Sequence, residues 1–145
     1  MAERQDFINA IMLRVEALAV FDEPANGGVH LGVAPDPDDE HEFPYLVVVL
    51  QPSLGEDYRT GGPTTLGIWP VLFNVYALTA AAAAGALEDI EADFEGTLLA
   101  PATGTCLASF VGSSIVDVDP DKAADGEEVW HATVLIEFQM QRTLT

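Results

Sequence analysis

The chain has 145 residues, 24 acids against 5 bases, a formal net charge of −19 and a single cysteine. That length suits one domain, residues 1–145, with a sizeable core, and a charge of this sign repels DNA, RNA and anionic lipid at long range, which argues against gripping nucleic acid. The lone Cys106 excludes an internal disulfide and argues against a secreted disulfide scaffold.

Hydrophobic residues make up 49% and mean hydropathy is +0.22, as in a folded protein. No apolar run approaches the roughly 18 residues of a membrane helix, so no membrane is expected among the partners. The opening Met-Ala-Glu-Arg-Gln-Asp lacks the basic start of a signal peptide, so a protein made and kept in a cytoplasm is expected. The acidity itself has two readings. One is solubility or growth in high salt; the other is a surface that faces DNA without sticking to it.

Residues 5–19 predict an amphipathic helix. Phe7, Ile8, Ile11, Met12, Val15 and Leu18 recur at three- and four-residue steps, with Arg4, Asn9, Arg14 and Glu16 off the stripe. Residues 20–42 are broken by Pro24, Asn26-Gly27-Gly28, Pro35 and Pro37, with a short strand expected at Val29–Val33. The run Leu46–Leu50 after Pro44 reads as a strand covered on both faces, with Pro44 at its start or on an edge. Residues 51–67 read as a long polar loop. Loops of that length inside a domain usually have a functional cause, and Tyr58 and Arg59 are residue types enriched at protein interfaces.

At 68–77 the residues alternate, Val71, Phe73, Val75 and Ala77 against Leu72, Asn74 and Tyr76. The β-rich run passes directly into a helix at about 79–95. Thr79 is its N-cap, Ala80, Ala83, Leu87, Ile90 and Phe94 its buried stripe, and Gly96 its end. A strand at about 105–118, interrupted near Gly112-Ser113-Ser114, turns through 119–128 into a last strand. In that strand Trp130, Ala132, Val134, Ile136, Phe138 and Met140 share one face. The last two strands pair as an antiparallel hairpin. The expected fold is therefore α+β: a mixed, largely antiparallel four-stranded sheet with two main helices on one face, in the order helix, strand, strand, helix, strand, strand.

No catalytic signature stands out. Asp117, Asp119, Asp121, Asp125 and Glu128 match the ligand spacing of a calcium loop, but Lys122 replaces the required Gly, Pro120 intrudes, and the flanks read as strands instead of helices. The Asp36–Glu42 run is splayed by Pro35 and Pro37 and reads as a charged surface loop. Cys106 with His131 could pair a nucleophile and a base, yet nothing marks an orienting group or an oxyanion hole, and Cys106 alternates as a small core residue. No metal, cofactor or catalytic residue is expected.

Three runs carry a resemblance: Phe43-Pro44-Tyr45-Leu46-Val47-Val48-Val49-Leu50, then Pro70-Val71-Leu72-Phe73-Asn74-Val75-Tyr76-Ala77 leading at once into a helix, then Trp130-His131-Ala132-Thr133-Val134-Leu135-Ile136-Glu137-Phe138. With the N-terminal helix, their order over about residues 5–140 resembles the tail terminator (tail completion, minor tail protein) family of long-tailed bacteriophages. The resemblance implies a structural virion protein without enzymatic activity. Such a protein forms a ring of copies of itself, expected to be six. The ring caps the tail tube, ends its polymerisation and joins tail to head or neck, with DNA passing through. The implied partners are other copies of the chain, the tail tube protein and the head–tail connector or neck proteins. The implied place is the head-proximal end of the tail, assembled in the host cytoplasm. Tyr58, Arg59 and Trp69 are the expected interface residues, and Glu56, Asp57, Asp119, Asp121 and Asp125 the expected DNA-facing acids of the lumen. The alternatives are a neck or head-completion connector of the same virion, an acidic cation-binding module using 117–128, and a small cytoplasmic enzyme using Cys106.

Overall fold

The computed structural model describes residues 2–22, 28–32, 43–51, 54–59, 64–118 and 129–143. The N-terminal helix α1 spans Ala2–Glu16. Phe7, Ile11 and Val15 form its buried stripe, as the four-residue spacing requires. The helix does not run on to residue 19 as expected. Backbone bonds from Leu18 N to Val15 O and from Phe21 N to Leu18 O tighten the chain, and a short second helix, α2 (Ala19–Asp22), swings Phe21 into the core.

Strand β1 (Gly28–Leu31) runs parallel to β2 (Tyr45–Leu50). Gly32, at φ +78°, ends β1 and donates its N–H to Val48 O at 2.7 Å. The Phe43–Pro44 bond is cis, and Pro44 immediately precedes β2, consistent with its place at a strand start.

The segment expected as a loop at 51–67 is a correction. Its described residues form β3 (Leu54–Arg59) and the first part of β4 (Thr64–Ala77), paired antiparallel with Tyr58 opposite Leu66 and Arg59 opposite Thr65. Polar composition hid the strand because backbone pairing along an edge needs no apolar side chains. β3 occupies the stretch of the β4 edge that β2 leaves open: Leu50 pairs with Val71 and Leu54 with Ile68.

Helix α3 (Ala80–Gly96) follows β4. Thr79 caps it, its hydroxyl oxygen accepting from Ala82 N at 3.1 Å. The buried stripe is Ala83, Ala86, Leu87, Ile90 and Phe94, so Ala86 is buried where Ala80 was expected. β5 (Thr105–Val118) and β6 (Trp130–Thr143) form the expected antiparallel hairpin, with register shifts at Leu107 and at Gly112-Ser113. Among the described residues the sheet therefore has six strands where four were expected, in the order β1-β2-β4-β6-β5 with β3 on β4, and the short α2 joins the two main helices expected, α1 and α3. It is mixed, since β1 and β2 are parallel and the other pairs antiparallel.

The helices cover one face. Leu46, Val48, Val71, Phe73, Val75, Val134, Ile136 and Phe138 project there and meet α1 and α3 in one core. Phe7 stands edge-on to Trp69 and Phe138 with centroids 4.9 and 5.5 Å away, and Phe94 packs on Phe73 and Phe138 at 5.4 and 5.3 Å. Arg14 ties the two helices together. Its guanidinium donates to Asp93 Oδ2, Asp93 O, Thr97 O and Leu98 O at 2.8–3.2 Å and lies 4.9 Å over the Phe94 ring.

Candidate functional site: the sheet face away from the helices

The register places one row of residues across five strands on the face that no described helix covers: Gly28, Tyr45, Tyr76, His131 and Asp117. The rings in that row stack. Tyr45 and Tyr76 lie 4.9 Å apart at 21°, and Tyr76 and His131 4.5 Å apart at 6°. Phe43 and His30 approach Tyr45 from its other side at 5.4 and 5.9 Å. Neighbouring strands bring directly opposed side chains close enough for such ring ladders.

The next row supplies the polar anchor. Asn74 is 7% exposed, and its amide nitrogen donates to Val47 O at 3.3 Å. That bond turns the amide oxygen toward β6, where His131 Nε2 sits at 2.8 Å and Thr133 Oγ1 at 3.1 Å. His131 Nε2 and Thr133 Oγ1 are also 2.8 Å apart. The Asn74 oxygen only accepts, so the Thr133 hydroxyl donates to it and Nε2 carries a proton. His131 therefore does not serve Thr133 as a base through Nε2. Those groups satisfy one another and lock the ring stack, which is the job of a buried polar network.

Cys106 lies on the other face. It pairs with Met140 inside the core, 4% exposed, while His131 pairs with Asp117 at the far end of β6. Nine residues of extended strand separate Met140 from His131, about 30 Å, and the sheet stands between thiol and imidazole. Burial pushes the Cys106 thiol above its ordinary value, away from the reactive thiolate. The nucleophile–base pairing considered from the sequence is not formed.

Of the expected interface residues, Trp69 is 5% exposed and packs edge-on to Phe7, so it belongs to the core of the protomer. Tyr58 and Arg59 close β3, and Glu56 and Asp57 lie within the same strand. Asp119, Asp121 and Asp125 lie outside the described residues, as does most of the calcium-like 117–128 turn and the whole Asp36–Glu42 run. The two flanks of that turn are the strands β5 and β6, not the helices of a calcium-binding hand. Asp117 Oδ1 accepts from Val118 N at 2.8 Å.

Neither the ladder of Tyr45, Tyr76 and His131 nor the Asn74 anchor was legible in the sequence. Alternation placed Asn74, Tyr76, His131 and Thr133 on the outer faces of their strands, and a signal was available in that four such residues flank two strands expected to be long. What was missing was the register of β4 against β6, which no strand carries alone.

No protein-family model matches the sequence, and no curated protein matches it. Among solved structures the chain is similar to a chain described as "Virion of native gene transfer agent (GTA) particle", with a TM-score of 0.67 at 16% identity, over 97% of this chain and 98% of that one. The two share a fold along essentially their whole length.

Proposed function

We propose that this chain is a structural protein of a phage-like virion that assembles as a ring at the head-proximal end of the tail, closing the tube and passing DNA, without catalysis. The observation that carries this reading is the end-to-end fold match to a virion chain, 97% of one against 98% of the other. A match confined to a common sub-motif would leave unmatched segments; here almost all of both chains is covered. The tail terminator resemblance of the Phe43–Leu50, Pro70–Ala77 and Trp130–Phe138 runs supplies the finer role.

The site chemistry agrees with that role. The outer sheet face is held by the Asn74–His131–Thr133 network and the Cys106 thiol is sequestered in the core on the other face, so the described residues offer stable shape and surface. A ring of six would carry six times −19, or −114 formal charges. A polyanion slides through such a channel without sticking. Glu56, Asp57, Asp119, Asp121 and Asp125 are the candidate lumen acids.

The test is assembly. Mix the purified chain with its tail tube protein and image the tubes. The expected result is a ring at one tube end and tubes that stop lengthening. Rings that bind the head connector and leave tube growth unchanged would move the protein to the neck; a chain that joins neither ends the proposal. Replacing the five acids with Lys should slow DNA ejection from assembled particles, and unchanged ejection and infectivity would remove those acids from the DNA path.

A further inference from the structure

β5 is the outermost strand of the described sheet beyond β6, and it is 14 residues long. Long exposed edges present unpaired backbone groups and normally carry charges that keep other chains away. This one carries none from Thr105 to Val116, in a chain whose net charge is −19. Instead it exposes Leu107 (42%), Phe110 (55%), Ile115 (67%) and Val116 (38%). Phe110 and Ile115 project on the outer face, opposite Glu137 and Thr133 of β6. Acids border it: Glu137 beside Phe110, Asp117 at the strand end, Glu91 of α3, which the Ser114 hydroxyl reaches from the helix side, and Asp6 of α1, which accepts from the Thr103 hydroxyl just before the strand.

That charge pattern selects the occupant. A basic partner would be drawn to the acidic side of α3, where Glu88, Asp89, Glu91, Asp93 and Glu95 follow one another. A second copy of this chain is repelled from every acidic surface and can approach closely only where neither body presents charge. We propose that the uncharged stretch Thr105–Val116 of the edge strand β5, through Phe110 and Ile115, is the surface on which a second copy of this chain docks. The bulges at Leu107 and Gly112-Ser113 break the row of backbone groups, so a flat added strand cannot pair along its whole length. The contact is therefore led by the apolar side chains. The inference deepens the ring reading and rests on it. A closed ring needs a heterologous contact, in which β5 meets a different part of the next copy.

The experiment is mass photometry and sedimentation of the wild-type chain, of Phe110→Asp with Ile115→Asp, and of Leu13→Asp as a control on the equally exposed face of α1. Each is run from about 50 mM to about 500 mM NaCl, across which the screening length falls severalfold. Both β5 positions are exposed, and circular dichroism verifies that the variants fold. The expected result is wild-type self-association that strengthens with salt, loss of at least tenfold in association for the β5 variant, and no change for Leu13→Asp. Oligomers that survive the β5 substitutions, or that salt dissolves, overturn this inference and leave the ring reading standing. A β5-dependent species that stops at a dimer upholds the docking surface and overturns the ring. A wild-type chain that stays single at every salt and concentration overturns both.

Discussion

Asn74 is the buried polar residue among those described, and its four-way network joins β2, β4 and β6 on one sheet face. Truncating it removes the acceptor that the part-buried His131 and Thr133 share. Asn74→Ala should therefore destabilise the fold by about 1–3 kcal/mol, the range for orphaning buried polar groups; chemical denaturation measures it, and a change below about 0.5 kcal/mol would mean water replaces the amide. Glu91 gives a pH signature. Desolvation, then the charges of Glu95 and Glu88, raise its pKa above the ordinary 4.5, with the Ser114 hydrogen bond opposing. A carboxyl whose folded pKa is raised burdens the fold when ionised and is relieved as pH falls through that pKa. Glu91→Gln should raise Tm at neutral pH, and the gain should vanish in acid, where wild-type Glu91 is protonated. A gain that persists unchanged into acid would assign the effect to something other than charge.

At the scale of elements, α3 is a helix at odds with its own dipole. It has no basic residue in its last turn and carries Asp93 and Glu95 there. Acids near a helix C-terminus are unfavourable. Arg14 of α1 answers this from outside, bonding the terminal carbonyls and the Asp93 carboxylate together. Arg14→Ala should cost about 2–3 kcal/mol, more than an exposed ion pair gives, because several charge-assisted bonds and the Phe94 contact go together. Arg14→Lys should recover less than half, since an ammonium cannot reach four oxygens in a fork. The sequence placed Arg14 correctly off the buried stripe of α1. Its partners lie about 80 residues away, and no periodicity within α1 points to them. By contrast, the stripe of α3 and its Thr79 cap were legible, because both depend on residues within one or two turns of each other.

For the whole molecule, net charge dominates. With −19 formal charges the folded chain repels itself, and compaction brings like charges together. Its Tm should rise as NaCl increases from about 10 mM to about 200 mM, where screening shortens the reach of each charge to less than the size of the domain; a flat or falling Tm would show that paired charges outweigh the repulsion. Element order across the molecule was largely legible, with the β3 strand as the main omission. Apolar β4 and β6 alternate visibly, whereas β3 is a polar strand defined by the edge it borders. Of the candidate site, the individual outer-face residues were visible, whereas the burial of Trp69 was not, because it depends on α1 laying Phe7 against it.

The sequence alone determined the local periods, the Thr79 cap, the strand-to-helix junction, the closing hairpin and the acidity, since each is set by neighbours in the chain or by simple sums. Tertiary structure decided the rest: the pairing of β3, the burial of Trp69 under Phe7, the clamp of Arg14 on α3, the stacked Tyr45–Tyr76–His131 row, and the placement of the uncharged Thr105–Val116 stretch of β5 at the edge of the described sheet. Those depend on register and on which elements are adjacent, and these arise only when distant parts of the chain compete to bury the same apolar surface.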